Sequence, residues 1–158
     1  MGQKDSRNRV DIHRQTCIKD CRIITLKKHH HENGNLTAVN NGEELPFDIK
    51  RTFYIYDVPG GAERGGHSHY TCQEFIIAIS GSFDVTVDDG FDKYTFTLNR
   101  PNQGLLVVPG IWRTLQNFSS GSVCLALASH HFEEDDYVRE YDDFLKLKNR
   151  QQNGLKAD

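Results

Sequence analysis

Two histidines separated by a single residue, His67 and His69, are the side chains in this sequence best suited to chemistry. Residues i and i+2 of a strand point to the same face, so the two imidazoles are predicted to lie side by side. Glu74 follows five residues after His69, and Gly61 and Gly81 flank the group. Imidazoles exchange protons near neutral pH, and two imidazoles with a carboxylate also suit zinc or iron. The pattern therefore indicates acid–base catalysis or a metal site.

The spacing from Gly61 to Gly81, G-x5-H-x-H-x4-E-x6-G, resembles the first signature of the cupin family of small β-barrels. The second cupin signature normally supplies another histidine ligand after a proline–glycine turn. Here Pro109-Gly110 is followed by Arg113 at that position. A guanidinium stays protonated at physiological pH and cannot bind a metal. We therefore expect a cupin fold that lacks one metal ligand, with Arg113 attracting an anion or a carbonyl oxygen, while His67, His69 and Glu74 could still hold zinc or iron.

The rest of the chain has to place these residues on strands. Short runs of β-branched and aromatic residues end at turn-forming residues, as in 83–87 before Asp88-Asp89-Gly90. Such runs, without helices between them, are typical of antiparallel sandwiches and barrels. The Asn33-Gly34 pair predicts a hairpin between strands 22–27 and 36–40. The expected fold is all-β, a cupin-type antiparallel β-barrel (jelly roll).

One helix is predicted near the C-terminus. Tyr137, Val138, Tyr141, Phe144 and Leu145 form an apolar stripe at helical spacing, preceded by acidic and followed by basic residues. We expect this helix to pack on the outside of a single cupin domain at 21–150. Residues 1–20 are expected to be a polar extension, and 151–158 a polar tail.

Composition narrows the classes of partner. The 158 residues contain 19 Lys+Arg and 22 Asp+Glu, a net charge of −3, which argues against a nucleic-acid partner. No run approaches 18 apolar residues, so no membrane span is expected. The polar N-terminus lacks the apolar core of a signal peptide, and the four cysteines are interpreted as reduced thiols. These features favour a cytoplasmic location.

Several motifs in the same order resemble the thymidine-diphosphate-sugar 3,4-ketoisomerases. They are LPFDIKRTFYIY at 45–56, RGGHSH at 64–69, SGS at 80–82, VTVDDG at 85–90, FSS at 118–120 and DYVREYD at 136–142. This resemblance implies a homodimeric cupin that needs no metal or other cofactor. It implies that the ketone of dTDP-4-keto-6-deoxyglucose moves from C4 to C3 by histidine-mediated proton transfer through an enediol. Deoxysugar or amino-sugar biosynthesis would use such a step.

The resemblance also implies roles for individual residues. His67 and His69 align with the family's paired active-site histidines; we expect His69 to be the principal base and His67 a proton relay or oxyanion partner, although the reverse order stays open. Arg113 is expected to stabilise negative charge on O3 or O4. Glu74, where the family typically has Gln, is expected to contact the substrate or to orient a histidine. Family members with arginine at position 113 resemble the type that forms the gluco-configured product.

Further residues are candidates for binding the nucleotide. Arg64 is expected to contact the diphosphate, because guanidinium groups match phosphate oxygens. Tyr54 could stack on thymine, and Arg51 is a further candidate. Asn33 stands where the family usually has an active-site arginine.

Two other function classes remain open at this point. One is a metal-dependent cupin enzyme, a dioxygenase or other isomerase, that uses His67, His69 and Glu74 as ligands. The other is a sugar-binding cupin without catalytic activity, which would not need an intact histidine pair.

Overall fold

A computed structural model of the chain describes residues 15–155, with side chains up to residue 148. Residues 1–14 of the expected extension and residues 156–158 of the expected tail lie outside these residues, and the backbone at 151–155 belongs to the C-terminal helix. The described strands are β1 (Arg22–Thr25), β2 (Arg51–Ile55), β3 (Arg64–His69), β4 (Glu74–Ser80), β5 (Phe83–Asp88), β6 (Lys93–Leu98), β7 (Gln103–Val107), β8 (Trp112–Gln116), β9 (Val123–Ala128) and β10 (Tyr137–Val138). Short 3-10 helices span Ile18–Asp20 and Glu134–Asp136, and helix α1 spans Tyr141–Leu155.

The strands form two five-stranded antiparallel sheets. The first has the order β1-β7-β4-β9-β2, and the second has the order β10-β3-β8-β5-β6. The expected all-β jelly roll with one C-terminal helix is confirmed. The two sheets pack face to face without joining into a continuous barrel, so the described part of the chain is an open sandwich.

Apolar residues alternate with other residues along the strands, and the apolar side chains fill the space between the two sheets. Ile76, Val85, Leu105 and Leu115 are almost completely buried there, and each such side chain contributes roughly 1.5–3 kcal/mol when removed from water. A second cluster around Phe75 lies on the outer face of the first sheet, against the segment at 39–49. At one end of the inner layer, polar side chains replace the aliphatic ones, and this end holds the histidines.

The predicted local hairpin is wrong. Around the Asn33-Gly34 turn, the backbone pairs only through one isolated bridge, between His29 and Leu36. Strand β1 pairs instead with β7, as at Ile24 opposite Gly104. An isolated two-stranded hairpin is marginal in water, whereas pairing with β7 extends a sheet that covers a core.

The helix begins later than the apolar stripe predicted. Tyr137 and Val138 form β10, opposite His69 and Ser68 of β3, and α1 starts only at Tyr141. Pairing with the exposed edge of β3 satisfies this backbone and buries Val138, so tertiary contacts override helical periodicity. The remainder of the stripe is confirmed, because Phe144 is fully buried and packs near the indole of Trp112.

In residues 15–155, no helix has both the length and the apolar character needed to span a membrane. All four cysteines are free thiols, as expected.

Candidate active site

Strand β3 directs the two histidines into the sandwich. Their Nε2 atoms lie 3.2 Å apart, and the rings meet edge to face. His67 is 8% exposed and His69 is 7% exposed. The i, i+2 spacing on a strand therefore produces a buried imidazole pair in which one ring donates a hydrogen bond to the other.

A glycine shapes the strand just before this pair. Gly65 has a φ of +72°, and the register of β3 against β8 is irregular between Arg64 and His67. The Gly65 carbonyl accepts a hydrogen bond from Nη1 of Arg113 at 3.2 Å. A Cβ atom at this position would overlap the same nitrogen. Only glycine fits this backbone shape beside the guanidinium.

Arg113 and Glu74 form a bidentate ion pair inside the protein. Nε and Nη2 of Arg113 donate to the two oxygens of Glu74 at 2.6 and 2.8 Å, and each residue is only 2% exposed. Burial raises the pKa of Glu74, but the guanidinium outweighs it and holds that pKa well below its usual range. Both predicted site residues therefore lie beside the histidines, with their charges directed at each other.

The two imidazoles have opposite electrostatic surroundings. Burial lowers the pKa of His67, the positive charge of Arg113 lowers it further, and it falls to about 2. Burial acts in the same direction on His69, but the carboxylates of Asp136 and Glu74 outweigh it and raise the pKa of His69. The surroundings therefore favour the protonated form of His69 and the neutral form of His67.

Asp136 is a site residue that the sequence analysis missed. Its Oδ2 lies 3.4 Å from Nδ1 of His69. In the sequence it ends an acidic run that was interpreted as the start of a helix. No local pattern in the sequence locates it, because Asp136 reaches His69 only when the following residues pair as β10 with the edge of β3.

Tyr137 covers the imidazole pair. Its ring centroid lies 4.9 Å from that of His67 and 4.4 Å from that of His69. Its hydroxyl accepts a hydrogen bond from Nη1 of Arg51 at 3.2 Å, and the guanidinium of Arg139 lies over the ring. Arg51, a predicted binding residue, therefore contacts Tyr137, which itself packs against both histidines.

Three predicted binding residues lie apart from the histidines. Tyr54 is 63% exposed on the outer face of β2, and with Tyr56 and Arg64 it lines a recess of about 250 Å³. Asn33 is exposed in its turn, where its backbone N–H donates to His31. Within the described residues, no contact links Asn33 to the imidazole pair.

The residues fit a divalent cation poorly. The donor atoms of His67, His69 and Glu74 all lie within 4.8 Å of one another, a separation that a metal site would tolerate. Both Glu74 oxygens, however, accept hydrogen bonds from Arg113. An ion here would lose its carboxylate ligand to a guanidinium and would face that positive charge.

Comparisons with known proteins agree on one family. The family model described as "FdtA: WxcM-like, C-terminal" matches residues 19–149. A TDP-4-oxo-6-deoxy-alpha-D-glucose-3,4-oxoisomerase from Aneurinibacillus thermoaerophilus is 38% identical over 125 residues, which cover 79% of this chain and 90% of the relative.

Solved structures give the same result. The WlaRB TDP-quinovose 3,4-ketoisomerase from Campylobacter jejuni is 40% identical, with a TM-score of 0.78 over 82% of this chain and 99% of that one. A mutant of the 3,4-ketoisomerase QdtA from Thermoanaerobacterium thermosaccharolyticum, in complex with TDP-4-keto-6-deoxyglucose, is 31% identical. Its TM-score is 0.82, over 85% of this chain and 97% of that one.

Proposed function

This chain belongs to the FdtA family of TDP-sugar 3,4-ketoisomerases, and on that premise we propose that it moves the ketone of dTDP-4-keto-6-deoxyglucose from C4 to C3. It is an isomerase. The observation that carries the proposal is the buried His67–His69 pair, whose Nε2 atoms lie 3.2 Å apart and whose surroundings favour protonation of His69 over His67.

The reaction needs a base and an acid at the same time. A base removes the proton from C3, the electrons form a C3=C4 double bond, and O4 takes up a proton to give an enediol. A proton is then added at C4 as O3–H loses its proton and the ketone forms at C3. No electrons leave the sugar, so the step is an internal redox change. A neutral imidazole beside an imidazolium provides both partners, because two environments have pushed the pKa values apart. The raised pKa of His69 supports this residue as the proton donor, the reverse of the order first expected, whereas the lowered pKa of His67 keeps that ring neutral and makes it a weak base.

Arg113 is proposed to act as a fixed positive charge. It lies opposite His67 across β3 and β8, and its ion pair with Glu74 prevents it from rotating away. A preorganised charge beside the reacting carbons stabilises an enediolate without reorganisation during the reaction. Glu74 is proposed to act through Arg113 and His69, because its oxygens are already occupied.

The nucleotide is proposed to bind outside the histidine pocket. Arg51 lies beside Tyr137, which covers the histidine pair, and its guanidinium suits a diphosphate. Arg64 and Tyr54 line their own recess, which suits a phosphate and a flat base. Asn33, in its exposed turn, is proposed as a further substrate contact.

The direct test is incubation of the purified protein with dTDP-4-keto-6-deoxyglucose, followed by NMR of the carbonyl carbon. Conversion of a C4 ketone to a C3 ketone supports the proposal, and a His67→Asn, His69→Asn double variant is the control. Binding without conversion would favour the sugar-binding cupin instead.

A homodimer is proposed for the assembly. The family resemblance implies it, and two-fold dimers are the commonest closed oligomers. A groove of about 760 Å³ on the outer face of the first sheet, lined in part by Ile77, Ile79 and Leu125, supports a contact surface there. Light scattering is expected to give twice the mass of the chain, and a monomer at micromolar concentration would contradict the proposal.

A further inference from the structure

We propose that Asp136 is a positioning residue of the isomerase: its carboxylate fixes the orientation of His69 and keeps this imidazole protonated, so that the histidine pair always contains one acid. This inference rests on the proposed function. In this proposal Asp136 does not contact the substrate and affects the reaction only through His69.

The carboxylate of Asp136 is itself held rigidly. Oδ1 accepts hydrogen bonds from the backbone N–H and the hydroxyl of Thr71, at 3.0 and 2.5 Å, and Oδ2 accepts one from the backbone N–H of Cys72 at 3.0 Å. The carbonyl of Asp136 accepts a further bond from Tyr70. The residue is 4% exposed. An anion fixed by this many donors cannot turn away from its neighbour.

The position of Asp136 completes a chain of alternating charges. Its Oδ2 lies 3.4 Å from Nδ1 of His69, whose Nε2 lies 3.4 Å from Oε1 of Glu74, which in turn pairs with Arg113. With His69 protonated, the two anions and two cations sum to zero. A neutral His69 would leave one uncompensated negative charge in a buried cluster, which is costly.

In this arrangement the two ring nitrogens of His69 face different neighbours. Nδ1 of His69 is buried and makes no hydrogen bond within the described residues, so the ion pair with Asp136 is the polar contact it has. Nε2 faces His67 and Glu74. A proton held at Nδ1 by Asp136 leaves Nε2 as the atom that exchanges a proton with the reacting sugar or with His67.

The charged and titratable groups around His69 come from every element packed against it. They are His67 on β3, Glu74 on β4, Arg113 on β8, Asp136 in the 3-10 helix and Tyr137 on β10, with Cys72 beside Asp136, with Arg51 and Arg139 against Tyr137, and with His130, His131 and Glu133 lining the same small recess as His69. Arg113, like burial, disfavours the imidazolium, and Glu74 favours it. Glu74 shares its charge with Arg113, so Asp136 is the carboxylate that acts on His69 without a cation of its own.

The test replaces Asp136 by asparagine, which keeps the shape and removes the charge. If His69 donates a proton, kcat falls as the pH rises through its pKa. Asp136→Asn is expected to move this alkaline limb to lower pH and to reduce kcat at pH 8 by roughly 10²-fold or more, with KM unchanged. Asp135→Asn is the matched control, since it removes the charge of the neighbouring, exposed aspartate, and it is expected to keep the alkaline limb in place.

The protonation state can also be measured directly. In the full-length protein labelled with ¹⁵N-histidine, both ring nitrogens of His69 should show imidazolium shifts at pH 7, and those of His67 should show a neutral ring. In Asp136→Asn, His69 should become neutral at the same pH. A neutral His69 in the unmodified protein, or an Asp136→Asn variant with an unmoved alkaline limb, would overturn the inference. Neither result would affect the isomerase activity of the unmodified protein, which tests the proposed function separately.

Discussion

Arg113 and Glu74 neutralise each other inside the sandwich, with their charged atoms 2.6 and 2.8 Å apart and only 2% of each residue exposed. In the cupin pattern, both positions would supply metal ligands. The ion pair therefore occupies the place where a cation would bind, and its positive end lies next to the imidazole pair. The cupin geometry is therefore retained although these two positions do not supply metal ligands.

Activity is expected to survive removal of metal ions. Glu74 is committed to Arg113, and a guanidinium repels a cation, so turnover should not depend on zinc or iron. The measurement is isomerase activity after dialysis against a chelator, together with elemental analysis of the same sample. A stoichiometric metal whose removal abolishes turnover, and whose return restores it, would contradict this prediction.

Each histidine is expected to be required for turnover but not for nucleotide binding. His67→Asn and His69→Asn each remove one partner of a proton-transfer pair, which should lower kcat by ~10²–10⁴-fold. Calorimetric titration with TDP should give an affinity close to that of the unmodified protein. His130→Asn, at an exposed histidine, serves as the control and should keep full activity. Near-normal rates in both active-site variants would show that the site lies elsewhere.

Gly65→Ala is expected to reduce activity and stability together. The added Cβ would overlap Nη1 of Arg113, and the φ of +72° strains any other residue. Gly66→Ala is a matched control, because a Cβ there meets its nearest neighbour at 3.6 Å, an ordinary contact. Thermal unfolding and kcat should both decrease for Gly65→Ala and change little for Gly66→Ala. Equal effects at the two positions would contradict the close packing of Arg113 against Gly65.

Glu74→Gln is expected to destabilise the protein most at neutral pH. The variant leaves Arg113 buried without its partner, a loss of about 3–5 kcal/mol. Because folding lowers the pKa of Glu74, its stabilising effect is complete above the unfolded pKa of about 4.5 and is lost as the pH falls towards the folded pKa. Urea unfolding should therefore show a difference between the two proteins at pH 7 that narrows below about pH 4.

The control for this comparison is Glu134→Gln. Glu134 pairs with Arg139 on the surface, so its replacement should leave the free energy of unfolding nearly unchanged. A constant difference between Glu74→Gln and the unmodified protein from pH 7 to pH 3 would contradict the pKa argument.

The sequence could predict contacts between residues that are close together in the chain, but not contacts between residues far apart in it. Strand periodicity was enough to place His67 and His69 side by side, because both lie on one strand. Asp136 lies 67 positions after His69 in the sequence. Its approach depends on β10 pairing with the edge of β3, which no local pattern specifies. The hairpin at Asn33 failed for the same reason, since β7 offered β1 a better partner than its neighbour in sequence.

The sequence also does not predict that Arg113 pairs with Glu74. Each residue was assigned a separate role, one towards the substrate and one towards a histidine. They lie on strands of different sheets, and only the packing of the two sheets brings them together. A buried charge requires a partner, but the sequence does not say which one.

The product is expected to have the gluco configuration at C4. In the substrate, the C3 hydrogen lies on one face of the ring. Return of that proton to C4 on the same face would give the galacto product, whereas the gluco product needs a donor on the opposite face. Arg113 does not release a proton at neutral pH, but it can hold a water molecule or the enediolate oxygens in place.

Reaction in D₂O followed by NMR distinguishes the two routes. A donor that exchanges with solvent should deliver deuterium, so the gluco product is expected to carry deuterium at C4. Arg113→His is the informative variant: an imidazole at this position can donate a proton itself, and a shift towards the galacto product would show that residue 113 controls the face of protonation. A galacto product from the unmodified protein, with protium transferred from C3 to C4, would contradict the prediction and would show that the histidine pair acts alone on a single face.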